Sequence, residues 1–118
     1  MSEHFKPEEF ACKCGCGKNN VSPELVEKLE VARVIYGLPM RINSACRCAD
    51  HNAKVGGVMA SSHIDGFAVD LLAASAEMRY QIVKALLVAG FERIGIGDAF
   101  IHADIDPKKP QGVIWLYS

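Results

Sequence analysis

The chain has 118 residues, half of them hydrophobic, with 13 basic and 14 acidic side chains and a formal net charge of −1. That length suits one domain around one core, read here over residues 1–118, and the balanced charge lacks the basic excess that nucleic acid would demand of a partner. No apolar run approaches the roughly 20 residues that cross a bilayer, and Met1-Ser2-Glu3-His4-Phe5-Lys6 has neither region of a secretory signal, so synthesis in a cytoplasm is expected.

The first chemical feature along the chain is a cysteine cluster, Cys12-x-Cys14-x-Cys16, echoed later by Cys46-x-Cys48. An odd count of five without a signal sequence argues against a simple disulfide framework. Thiolates favour zinc, so four of them could hold a second, structural metal. The C-x-C spacing is tighter than the common C-x₂₋₄-C loops, however, and Gly15 and Gly17 make the first cluster a flexible turn. The spacing therefore favours reduced or opportunistically paired thiols near one another in space.

Residues 22–36 are predicted to form the first helix. Ser22 suits the N-cap, Pro23 the first helical position and Glu24 the positive helix end. Leu25, Leu29, Ala32 and Tyr36 share a face with Val26 beside them, Gly37 ends the helix and Pro39 prevents its resumption. A short strand is expected at 40–44, a helical turn or two at 49–54 and a loop at 54–57. Residues 67–72 read as a buried strand. Ser75 opens a second helix whose stripe is Met78, Ile82, Leu86 and Ala89, closed by Gly90. Three short strands follow near 93–96, 100–105 and 113–117. Helices at the front and strands toward the back predict an α+β fold, with helices packed on a small antiparallel sheet.

The segment Ser61-Ser62-His63-Ile64-Asp65-Gly66-Phe67-Ala68-Val69-Asp70, with the later Phe100-Ile101-His102-Ala103-Asp104, is the most informative. His63, Asp70 and His102 supply two imidazoles and a carboxylate, a borderline-soft set suited to zinc. Three protein ligands leave a fourth position open, which separates a catalytic zinc from a structural one. Alternation places Phe100, His102 and Asp104 on one strand face.

The pattern S-x-H-x-x-G-x-A-x-D with a later His closely resembles the M15 family of zinc peptidases. These are D-Ala-D-Ala carboxypeptidases and cell-wall endopeptidases whose site architecture is shared with the amino-terminal domain of hedgehog proteins. His4-Phe5-Lys6-Pro7-Glu8-Glu9-Phe10, Ile42-Asn43-Ser44-Ala45-Cys46-Arg47, and His51-Asn52 with Val55-Gly56-Gly57 are similar to the small phage-type branch. The resemblance runs from about residue 4 to about 105 and implies the same α+β fold. It also implies one catalytic zinc on His63, Asp70 and His102, with Arg47 beside the site to grip a substrate carboxylate or steady an oxyanion. Many members place a Glu or His three residues before the last histidine, where this chain has Ala99. Asp98 is the nearest carboxylate and the expected general base. Asp104 is expected to orient a ligand histidine, and Ser61 to hydrogen-bond near the metal loop. Trp115 and Tyr117 read as edge packing, and Asp106, Lys108 and Lys109 as a solvated turn.

The resemblance therefore implies a monomeric zinc metallopeptidase acting on the stem peptide or crossbridge of bacterial peptidoglycan. The bond would be D-Ala-D-Ala or L-Ala-D-Glu, and the source a phage or prophage, as a lysin or a tail-associated enzyme. The alternative is a non-catalytic binding or structural domain that keeps the zinc site, favoured by Ala99.

Overall fold

Strand alternation organises the second half of the chain. The computed structural model describes residues 2–57 and 61–117. A 3₁₀ turn, Pro7–Phe10, is followed by α1 (Pro23–Tyr36), β1 (Ile42–Ser44), α2 (Ala49–Lys54), β2 (Ala68–Leu72), α3 (Ala76–Val88), β3 (Arg93–Ile96), β4 (Phe100–Asp104) and β5 (Val113–Leu116). The expected α+β architecture is present. The strands form one sheet in the order β1-β2-β4-β3-β5, antiparallel except for the β3–β5 pair. That exception follows from connectivity. Both edges of β4 are taken by β2 and β3, so the returning chain passes beyond β3 and joins its far side in the same direction.

One face of the sheet is apolar. Val69 and Leu71 of β2, Ile101 and Ala103 of β4, and Ile94 of β3 are fully buried. They join Leu25, Leu29 and Ala32 of α1 and Ile82, Ala85 and Leu86 of α3 in a single core. Each fully buried Val, Leu or Ile side chain contributes about 1.5–3 kcal/mol. Gly37 ends α1 in the left-handed conformation, φ +80°, and its N–H donates to the Arg33 carbonyl at 3.0 Å. Ser75 caps α3 through its hydroxyl, which accepts the Met78 N–H at 3.2 Å. Ser22 makes no such side-chain cap. Its backbone N–H donates instead to the Gly66 carbonyl, at 2.9 Å, and so ties α1 to the loop that carries His63.

The 3₁₀ turn at Pro7–Phe10 is an element that periodicity does not reveal, since four residues are too few to display a period. Its anchors are Phe5 and Phe10, both buried, with ring centroids 5.9 Å apart.

Gly66 is the backbone constraint on which the site loop depends. It sits at φ +77°, and a Cβ there would lie 2.1 Å from the Asn20 carbonyl oxygen, a backbone atom that cannot rotate away. Gly66→Ala should destabilise the protein by about 1–3 kcal/mol from the dihedral alone, with the clash adding to it. Urea unfolding of the purified variant measures this, and an unchanged midpoint would contradict it.

Candidate metal centre

The other face of the sheet is polar, and the site is built on it. In register across the strands lie Asp70 of β2, His102 of β4, Gly95 of β3 and Trp115 of β5. Ala68, Asp104 and Arg93 form the adjacent row. Successive residues of a strand point to opposite faces, so the core residues 69, 71, 101 and 103 fix Asp70 and His102 on this one. Gly95 is needed here because a Cβ would lie 2.6 Å from the Trp115 indole nitrogen and 2.5 Å from the Tyr117 ring. Its absence lets both aromatics close over the sheet, with ring centroids 5.5 and 6.3 Å from that of His102.

His63 reaches the same point from the loop before β2. The Ser61 hydroxyl accepts the His63 N–H at 3.2 Å, the Phe67 N–H donates to the Ser62 carbonyl at 2.9 Å, and the Arg47 N–H donates to the His63 carbonyl at 3.2 Å. His63 Nδ1–H donates to the Ala45 carbonyl at 2.7 Å. This leaves the Nε2 lone pair facing Asp70 Oδ1 at 3.3 Å. His102 is held in the opposite sense: Nε2–H donates to Asp104 Oδ2 at 2.7 Å and Nδ1 faces the same Asp70 oxygen at 2.9 Å.

Two imidazole lone pairs and a carboxylate oxygen thus converge within 4.8 Å of one another. Three acceptors at one point repel unless a cation lies between them. With two neutral imidazoles and one carboxylate, the donor set matches that of a three-ligand zinc site, and tetrahedral coordination at about 2.0–2.1 Å places ligand atoms about 3.3 Å apart. The residues fit the ion.

The same crowding governs protonation. When a proton rather than a metal ion lies between these atoms, burial opposes the charge on Asp70, but hydrogen bonds then donated by the His102 and His63 rings outweigh it and hold the carboxyl well below the usual carboxylate range. Burial likewise opposes the charge on His102, and its bonds to Asp104 and Asp70 reverse the sign, raising its pKa. Asp104 is lowered: burial is outweighed by His102, the Asp106 N–H and Arg93, whose Nε lies 2.7 Å from Asp104 Oδ1.

The sequence-predicted residues divide into two groups. His63, Asp70, His102, Arg47, Ser61 and Asp104 all line one cavity of about 430 Å³. Arg47 donates from Nη2 to Asp70 Oδ2, from Nε to Ser44 Oγ and from Nη1 to Asn52 Oδ1, at 3.1–3.2 Å. That uses three of its five N–H groups. Asp98 is not among the lining residues. It is exposed in the turn between β3 and β4, where its backbone carbonyl accepts from Arg79. The Gly97 N–H, bonded to the Phe100 carbonyl at 2.9 Å, closes that turn. The structure thus places the expected base outside the set of lining residues. Among the described lining residues, the carboxylates are Asp70 and Asp104.

Sequence reasoning passes over Arg93, reads Lys109 as part of a solvated turn and Trp115 and Tyr117 as edge packing, yet all four line the cavity. Alternation along β5 puts Trp115 and Tyr117 on one face, but only the parallel pairing to β3 sets them beside His102. Asp106 is also corrected: it is fully buried, accepting from the Ser62 hydroxyl at 2.8 Å and the Lys108 N–H at 3.0 Å. Val58, Met59 and Ala60 lie outside the described residues.

Asp104 bonded to His102 has the form of a carboxylate–histidine–metal relay, which fixes tautomer and raises ligand basicity. Asp104→Asn should weaken zinc affinity about 10–100-fold, measured by competition with a chromophoric chelator. Wild-type affinity in that variant would show that Asp104 serves only Arg93.

A family model described as Peptidase M15 matches residues 3–104. Among solved structures, the chain is similar to the Serratia marcescens L-Ala D-Glu endopeptidase ChiX, with a TM-score of 0.60 and 19% identity over 75% of this chain and 83% of that one. At that identity the likeness shows a shared fold. No curated protein sequence matches this one. Since the family match takes in the His63 loop, Asp70, His102 and nearly the whole sheet, the chain belongs to the peptidase M15 family.

Proposed function

We propose that the protein is a zinc-dependent peptidase that hydrolyses a peptide bond in the stem of bacterial peptidoglycan. The geometry carrying this reading is the convergence of His63 Nε2, His102 Nδ1 and Asp70 Oδ1 at the floor of an open cavity. A zinc ion held by these atoms supplies a Lewis acid that polarises the scissile carbonyl and acidifies water at neutral pH.

The chain's own residues do the rest. Ala45 and Asp104 hold the two imidazoles in the tautomers that present a lone pair. Arg47 steadies Asp70 while two N–H groups remain for a substrate carboxylate, which a stem peptide carries. Arg93 and Lys109 add positive charge to the same wall. Burial raises the Tyr117 pKa, so its hydroxyl stays a donor at neutral pH. Trp115 and Tyr117 flank His102 and narrow the approach of water.

Of the two bonds expected from the sequence, the likeness to the Serratia L-Ala D-Glu endopeptidase favours L-Ala-D-Glu over D-Ala-D-Ala. A phage or prophage source remains the reading that the sequence resemblance supports. The non-catalytic alternative gains weight from one feature: both lining carboxylates among the described residues are already paired, to the histidines and to Arg93. Synthetic stem peptides separate the readings. Hydrolysis that stops with a chelator and returns with zinc supports the peptidase, and no hydrolysis by the zinc-loaded protein supports the binding domain.

A further inference from the structure

A second cluster of metal-ligating side chains lies outside the cavity. Cys12, Cys14, Cys16 and Cys48 each direct a sulfur to one point, all four within 4.8 Å of one another. Three of the separations are 3.4 Å for Cys12–Cys14, 3.7 Å for Cys14–Cys48 and 4.0 Å for Cys12–Cys48. Four thiolates around a tetrahedral zinc at about 2.3 Å have sulfurs about 3.8 Å apart. The observed spacing brackets that value.

The backbone is arranged to bring this about. Gly15 and Gly17 take φ +86° and +87°, turning the chain so that three alternate cysteines present sulfur to one side. The Cys12 N–H donates to the Lys18 carbonyl at 2.8 Å and closes the loop. Backbone N–H groups then aim at the sulfurs: Lys18 at Cys16 (3.5 Å), Cys48 at Cys12 (3.5 Å) and His51 at Cys48 (3.4 Å). Such donors favour anionic sulfur. Cys46 stands apart, buried and directed at Asn19 Oδ1.

We propose that Cys12, Cys14, Cys16 and Cys48 bind a structural zinc ion, separate from the ion at His63, Asp70 and His102. Binding releases the four thiol protons to solvent and leaves a net charge of −2 on the cluster, with Lys13 and Lys18 in the same loop. The C-x-C spacing that argues against a metal in the sequence is overcome because the fourth ligand comes from a different part of the chain. The role follows from that ligand. Cys48 adjoins Arg47 and caps α2, so the ion clamps the N-terminal loop to the segment that delivers Arg47 to the cavity.

Native mass spectrometry of protein purified with zinc under reducing conditions tests this. Two zinc ions per chain are expected for the unmodified protein, and one each for His63→Ala and for the Cys14→Ser, Cys16→Ser double variant. Because His63→Ala keeps all four cysteines, its single ion reports this cluster whatever the fate of the catalytic proposal. Cobalt exchanged into His63→Ala should give the intense sulfur-to-cobalt charge-transfer absorption of a tetrahedral thiolate site, which needs no cysteine variant to fold. A metal-free His63→Ala protein without that absorption, or a disulfide among these cysteines in the reduced preparation, would overturn the proposal.

Discussion

His63→Ala is expected to lose the catalytic zinc and at least about 10³-fold in kcat/KM on a stem peptide. Lewis-acid stabilisation of developing charge is worth several kcal/mol, and about 4 kcal/mol corresponds to that factor. The change leaves the sheet untouched, because His63 belongs to the loop preceding β2 and not to the core cluster. What it removes is the lone pair aimed at Asp70 Oδ1 and the bond to the Ala45 carbonyl. The expected variant is therefore folded by circular dichroism, inactive, and depleted of one metal ion. Retained activity would show that the three converging atoms are not the reaction centre.

The second large effect is expected at Arg47. Arg47→Lys keeps the charge but gives up the fork that reaches Ser44, Asn52 and Asp70 together, and a lysine cannot replace that geometry. A loss of about 10²-fold in kcat/KM is expected, in the range of removing one oriented donor from an active site. Substrate chemistry separates positioning of Asp70 from recognition of the peptide. If the two remaining N–H groups grip a carboxylate, the variant loses most on a peptide with a free carboxylate near the scissile bond and little on its amide. Equal losses on both would assign Arg47 to Asp70 alone.

Much of this is legible in the sequence, for physical reasons that differ between elements. α1 and α3 announce themselves by apolar spacing and by Ser, Pro and Gly at their ends, because those signals are local. β2 is legible as a short buried run, β4 from alternation, and the His63–Asp70–His102 set from its motif. The direction of β5 is not, since it depends on which strand edges other segments have already filled. For the same reason Trp115 and Tyr117 read as edge packing and prove to face the cavity. Asp98 reads as the base only through its proximity in sequence to His102, which says nothing about the tight turn that exposes it. The charge of Asp106 suggests a solvated turn, while Ser62, whose hydroxyl donates to the buried carboxylate, comes from a distant loop. The cysteines show the same limit: a four-sulfur cluster assembled from residues 12–16 and 48 has no signature within either short window.

The most direct test of the central claim is mass spectrometry of purified peptidoglycan digested by the zinc-loaded protein, run beside His63→Ala. New stem-peptide fragments are expected with the unmodified protein only, their masses marking a cut between L-Ala and D-Glu. Intact peptidoglycan from a protein carrying zinc at His63, Asp70 and His102 would contradict that claim.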